Sequence, residues 1–529
     1  MPGTPVEIGP WTGGLKNVAG FGEFINDDQA YLLQNFEVDT DGSLANRPSI
    51  RRANITGFGS TSADDLRVLG TWITKELRYL LVVATATGFV LIEPAIGAVV
   101  FSHDMGKPKA MVVYNEILYI VPTIAGQGGQ VSVISALTYQ WTSLATVPIG
   151  TTSAVYKDRW YIGQEKETRL VYSEVNEFQT WPAANNAGIG WENKQPLKAI
   201  AVVGSDLYCF KTDSTYRYGH AGDPARAEVR IMDNYVGAIS NQCVAVYNNN
   251  TVYTMSGGAV YELYQSTYTR ISDDLDMLRR SGDDTAYYPY GVSVFRDRLF
   301  VRFYSHMYVL NLKTQRWSEW TSLRNFSNVI CMPGAVSPGS EIGYAASIED
   351  THGEKFLYYT QDSRIIGVED NPTNSNDKEG FICRLITKSF DFATPTYYKT
   401  ILMGGLSVAC SSTVTVSAIV PGSQIIDVLS WGEAFVQYTW GSAYDLGVTW
   451  GTNVTSDGDI LMKTVIPPTD NAAFGRKLLK CLGKFRYRQV QFIIEIPAAT
   501  NDKASFSVRL YNLTVYALQK QTVVKSVTP

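Results

Sequence analysis

Val155-Tyr156-Lys157-Asp158-Arg159-Trp160-Tyr161-Ile162 is a β-branched and aromatic strand, a short polar turn, and a second aromatic strand. That order is the local signature of a β-hairpin. The same unit returns as Val113-Tyr114, Asn115-Glu116, Leu118-Tyr119-Ile120, and again as Val202-Val203, Gly204-Ser205-Asp206, Leu207-Tyr208. Val246-Tyr247, Asn248-Asn249-Asn250, Val252-Tyr253 and Val294-Phe295, Arg296-Asp297-Arg298, Leu299-Phe300 continue it. The first-strand anchors at 114, 156, 203, 247 and 295 are 42, 47, 44 and 48 residues apart. Strand-only sequence with a period of about 40–50 residues predicts propeller blades.

Working outward, an earlier copy reads Gly70-Thr71-Trp72-Ile73 followed by Leu77 to Val83. A later, degenerate one reads Ala345 to Ile348, a loop at 350–354, then Phe356 to Tyr359. Seven units are therefore favoured, within a range of six to eight. Tyr79 to Phe101 is apolar enough to mimic a membrane span, yet Glu93-Pro94 and the polar break at 85–88 interrupt it in phase with the repeat, so it reads as strands. Polar turns followed by Trp141, Trp181 and Trp317 predict indoles packed between blades.

The 529 residues exceed what one core holds, so more than one domain is expected. The expected division is 1–60 as an N-terminal arm and hairpin, 61–375 as the β-propeller, and 376–529 as a β-sandwich-like domain. Within the first, Asp27 to Asn35 predicts a short helix capped by Asp27 or Asp28. Phe36-Glu37-Val38 and Leu44 to Pro48 flank the Asp41-Gly42 turn of a hairpin. Residues 369–379 read as a linker, and the strands beyond it alternate faces with period two, as in a sandwich. The fold class is thus all-β.

The chemistry of the chain is sparse. Six scattered cysteines without a C-x-x-C pair read as reduced core residues, and four isolated histidines give no zinc pattern. No G-x-S-x-G, H-E-x-x-H or Walker A sequence occurs. Asp445-Leu446-Gly447-Val448-Thr449-Trp450 approaches the Asp box of sialidase-type propellers, but occurs once and outside the blades. Asp273-Asp274 and Asp283-Asp284 lack the loop spacing of a calcium site. A net charge of −5, with only short basic pairs (Arg51-Arg52, Arg279-Arg280), is a poor basis for gripping nucleic acid. Met1 to Pro5 has no signal-peptide character, and the chain reads as soluble. No enzyme activity, cofactor or metal is expected. Trp431-Gly432, Trp440-Gly441 and Trp450-Gly451 form a series that reads either as hairpin packing or as a contact surface.

Gly13-Gly14-Leu15, Leu33-Gln34-Asn35-Phe36-Glu37-Val38-Asp39, Gly42-Ser43-Leu44 and Arg47-Pro48 resemble the opening of tail nozzle proteins (the tail tubular protein B family) of short-tailed bacteriophages. Ser49 stands where that pattern has glycine. Thr387 to Phe390, Tyr398-Lys399 and Phe506 to Tyr516 resemble the family's closing β-rich domain. The resemblance implies a structural protein of the virion tail, assembled in the bacterial cytoplasm. It would form a homo-hexameric ring below the tail adaptor ring, touch tail fibres or spikes, and meet the host envelope at its distal end. Double-stranded genomic DNA would be retained, then pass non-specifically without stable binding, as a lumen of little positive charge permits. Trp431, Trp440, Trp450, Arg47 and Trp11 are the candidate partner-contact residues. Two other classes compete: a carbohydrate-binding or carbohydrate-cleaving propeller, and a monomeric interaction propeller.

Overall fold

The computed structural model describes residues 5–17, 25–47, 51–52, 67–275 (apart from 86, 94–95, 97, 136–137 and 165–166) and 291–361 (apart from 296–297, 303–305, 322–324, 332–334, 338–339 and 350–354). Beyond these it describes 382–390, 398–410, 413–419, 437–439, 442–444, 460–466, 475–480, 490–497 and 508–520. The linker at 369–379, the pairs Arg279-Arg280 and Asp283-Asp284, and residues 445–450 lie outside the described residues.

The chain is an all-β protein built on a seven-bladed propeller. Blade one runs from Arg67–Ile73 at the axis through Tyr79–Ala84 and Gly88–Glu93 to Ala98–Asp104 at the rim, so the apolar stretch from Tyr79 is strand and turn. The axial strands of the next five blades are Ala110–Tyr114, Thr152–Tyr156, Ala199–Val203, Val244–Tyr247 and Gly291–Phe295. Asn325–Cys331 is the axial strand of blade seven, and it touches that of blade one, which closes the ring. The degenerate repeat at 345–359 is therefore the second and third strands of its blade, one strand out of step with the other copies. Arg51–Arg52 supplies the outer strand of that last blade, so an early segment fastens the final sheet.

The hairpins form where the turn chemistry demands. Asn115 and Glu116 (φ 47° and 65°) and Lys157 and Asp158 (φ 47° and 57°) hold both central turn positions left-handed, the twist that matches antiparallel strands. Aromatic and aliphatic side chains then fill the seams. Blades three and four share a core of Tyr156, Tyr161, Leu170, Leu207, Cys209 and Tyr218. Trp141 stacks on His103 of blade one at 4.2 Å, and the Trp317 indole N–H donates to Ile271 O at 2.8 Å. Trp181 joins the cluster that blades two and three share. Cys209, Cys243, Cys383 and Cys410 are buried thiols outside any disulfide.

The predicted helix at Asp27 to Asn35 is instead a strand, Gln29–Gln34. Residues 27–28 serve a turn, and Asp27 pairs with Lys388. The following residues are gripped from both sides, by Arg316–Thr321 of blade six and by Ile382–Thr387. Tertiary pairing here overrides a local helix signal. The strand extends blade six without a break through Ile382–Thr387, Gln491–Pro497 and Val414–Ile419 to Ile460–Ile466. A second sheet, carrying Phe36–Val38, Leu44–Asn46, Val508–Lys520, Tyr398–Cys410 and Gly475–Lys480, has Pro5–Ile8 along its long strand. Leu406, Val408, Leu510 and Leu513 of this sheet share one core with Leu385, Val416, Phe492 and Ile494 of the other. The result is a β-sandwich whose strands come from both ends of the chain.

Candidate functional site

Two places concentrate unusual side chains: the propeller axis, and the joint between propeller and sandwich. The axial strands of blades two to five line an open depression of about 400 Å³ bordered by Val112, Val113, Ala154, Val155, Val244 and their neighbours. The lining side chains are mostly aliphatic, and Val113 and Val246 face the axis exposed to solvent. Asn241, in the approach to blade five, reaches across its mouth. Its Nδ2 donates to Lys109 O at 3.0 Å and to Thr151 O at 2.6 Å, so one amide ties the entries of blades two and three to blade five. Sequence reasoning missed Asn241, because nothing local separates it from other loop asparagines.

The joint is built on Asn35. This residue sits at φ 58° and ends the strand Gln29–Gln34. Its backbone N–H donates to Glu319 O of blade six at 2.6 Å. Its side chain donates to Ile382 O at 2.8 Å, and its Oδ1 accepts from Arg47 Nε at 2.7 Å. Three parts of the chain far apart in sequence thus meet on one asparagine. The Arg47 guanidinium lies 5.6 Å from the centre of the Trp320 ring, a cation–π contact inside the protein. Beside it, Arg298 of blade six grips Glu37 with both arms, at 2.9 Å and 2.8 Å. Arg509 reaches the hairpin turn at Asp41, 3.0 Å away; the Ser43 hydroxyl and N–H, with a smaller part from the Arg509 charge, hold the Asp41 carboxyl below its usual range.

Of the candidate contact residues, Arg47 and Trp11 are fully buried. Arg47 spends its charge on Asn35 and Trp320, and Trp11 lies in the sandwich core, so both face the chain's own interior rather than a partner. Trp431, Trp440 and Trp450 lie outside the described residues. Asp273 and Asp274 face cations, Arg270 at 3.0 Å and Lys16 at 3.1 Å. Among the described residues no three His, Cys, Asp or Glu side chains gather as metal ligands.

The seam between blades three and four gathers several titratable groups perturbed by burial. His220 is almost fully buried, its Nδ1 accepts from Gly222 N–H at 3.2 Å, and its Nε2 is 3.0 Å from the Tyr161 hydroxyl. A backbone donor on Nδ1 leaves the proton on Nε2, which therefore donates to Tyr161. Burial, then the Lys157 and Arg159 charges, push the His220 pKa down. Burial likewise pushes the Tyr161 and Tyr218 hydroxyls well above their usual range. This network is a packed, neutral hydrogen-bond cluster.

No protein-family model matches the chain, and no curated protein matches it. Solved structures do. Virginiamycin B lyase from Staphylococcus aureus is similar over 59% of this chain and 98% of its own, at 10% identity and a TM-score of 0.39. BamB from Moraxella catarrhalis covers 68% of this chain and 99% of its own, at 11% identity and a TM-score of 0.37. Kuenenia stuttgartiensis hydrazine synthase covers 57% and 97%, at 11% identity and a TM-score of 0.39.

Proposed function

We propose that this chain is a structural subunit of the tail nozzle of a short-tailed bacteriophage, forming a hexameric ring that retains genomic DNA and conducts it during ejection. The adaptor ring and tail fibres would be its neighbours in the virion tail. One observation carries the reading: the run that resembles the nozzle family's opening, residues 33–47, is the run that welds propeller to sandwich. Asn35 and Arg47 bind each other at 2.7 Å, and Glu37 is clamped by Arg298. A ring subunit that resists the push of packed DNA needs such a joint, because a free hinge would yield first. The continuous sheet from blade six into the sandwich supplies the same stiffness.

In this role the DNA path lies between subunits. One asparagine amide, on Asn241, joins the entries of blades two and three to blade five, so the propeller axis leaves no passage as wide as a DNA duplex. A net charge of −5 suits passage without adhesion. Co-expression with adaptor-ring protein from a short-tailed phage, followed by native mass measurement, tests the role. A discrete complex holding six copies supports it. A chain that stays monomeric beside its adaptor points to an interaction propeller of another kind.

A further inference from the structure

The loop 189–198 between blades three and four carries Trp191 with 74% of its surface exposed. The indole is not loose. A Cβ on Gly188 would fall 2.1 Å from the ring's Cζ2 and 2.5 Å from its Nε1, so the ring lies on bare Gly188 backbone in a seat that only glycine leaves open. Gly190, at φ 56°, has the Tyr216 ring against it from below.

The loop under the indole is braced throughout. Fully buried Lys211 donates to Gly190 O at 2.8 Å and also to Asn193 O. Asn193 Nδ2 donates to Asp213 Oδ1 at 3.0 Å and to Ser214 Oγ at 2.9 Å. Gln195 donates from its backbone to Asn193 Oδ1 at 2.9 Å and from its side chain to Asp213 Oδ2 at 2.8 Å. Gln195 Oε1 has no hydrogen-bond partner, an acceptor still unmet beneath the loop. Burial lowers the pKa of Lys211, a cost borne to hold this loop still.

A rigid, exposed indole flanked by polar groups is arranged for a ligand with a flat apolar face and a polar rim. Glu192 and Lys194, both exposed, flank Asn193 in the same loop and add an acceptor and a donor close in sequence to the indole, and the Glu192 charge is near enough to act on the buried Lys211 ammonium. A pyranose ring fits this description: its polarised C–H face sits on the negative face of the indole, and its hydroxyls bond outward. A nucleobase would also stack, but it brings phosphate, and this loop sets its one exposed cation, Lys194, two residues from the exposed carboxylate of Glu192. Tyr235, 87% exposed, lies on the loop leaving blade four, on the same face of the propeller as the loop that enters it.

We propose that Trp191 is the platform of a saccharide-binding site on this face, with Glu192 and Lys194 as hydroxyl partners and Tyr235 as a second aromatic for a longer chain. The site is independent of the nozzle role, and its ligand class is an oligosaccharide with an exposed pyranose face. The test applies the full-length protein to an array of bacterial surface oligosaccharides, beside Trp191→Ala, Gly188→Ala and Tyr235→Ala, each checked for an unchanged unfolding temperature. Wild type is expected to bind a subset of glycans. Trp191→Ala should weaken those signals about tenfold or more, and Gly188→Ala should weaken them while keeping the indole, by unseating it. Absence of wild-type binding overturns the proposal, as does full binding by Trp191→Ala. A lowered oligomeric mass for Trp191→Ala with glycan signals intact also overturns it, and assigns the indole to a protein contact.

Discussion

Replacing Arg47 with lysine separates a residue that holds the chain together from one that faces a partner. Arg47 is fully buried, bonded from Nε to Asn35 Oδ1 at 2.7 Å and set 5.6 Å from the Trp320 ring. Lysine keeps the charge but has no Nε fork and no planar group to lie on the indole. The lost charged hydrogen bond is worth about 1.5–3 kcal/mol. Weakening the buried cation–π contact adds about 0.5–2 kcal/mol. Arg47→Lys should therefore cost about 2–5 kcal/mol at the joint. The assay is hydrogen exchange of the purified chain, read on Gln29–Gln34 and Ile382–Thr387, the strands that Asn35 ties together. Exchange there should speed by about 30-fold or more, at 1.4 kcal/mol per tenfold, while blades two to four stay protected. Wild-type exchange in the isolated Arg47→Lys chain, combined with failure to assemble, would refute the joint and return Arg47 to a partner surface.

Further expectations follow from the same geometry. Glu37→Gln halves the charged clamp on Arg298, whose side chain is only 25% exposed, and should cost about 2–3 kcal/mol in thermal unfolding; a double cycle with Arg298→Gln should recover part of it. Asn241→Ala leaves Lys109 O and Thr151 O without their amide donor and should cost about 1–3 kcal/mol, read as faster exchange in the axial strands of blades two and three. Glu116→Gly removes a side chain from a position at φ 65° and should raise stability by about 1 kcal/mol, since the Trp72 indole bonds only the backbone carbonyl there. His220 is held neutral, with a folded-state pKa below its unfolded value, so its contribution is whole above about pH 6.5 and falls as pH drops through the folded pKa. The unfolding temperature should fall on acidification below that point, and His220→Gln should flatten the slope.

The propeller was legible because each blade opens with two strands and a turn whose signals are local. Lys157-Asp158 between Tyr156 and Trp160 needs no distant partner to declare a hairpin, and the hairpin it declares is the one observed. Blade seven was harder. Its axial strand Asn325–Cys331 carries no aromatic hairpin pair, so the visible repeat fell one strand late. Gln29–Gln34 was misread because a strand held between residue 319 and residue 384 is fixed by long-range pairing, while Asp27-Asp28 before Ala30 and Leu33 looks locally like a capped helix. The burial of Arg47 and Trp11 is not legible for a related reason: composition cannot tell an arginine buried against an asparagine from one on a surface. Trp191 went unremarked since its exposure depends on a glycine seat three residues before it.

Single-particle electron microscopy of the chain mixed with the adaptor-ring protein of a short-tailed phage decides whether the proposed ring forms. If the nozzle proposal holds, the particles are sixfold rings whose continuous lumen runs between subunits, with each propeller axis still spanned at Asn241 and the joint at Asn35 and Arg47 intact. DNA density threading a propeller axis, or particles that remain single propellers beside the adaptor, would contradict it.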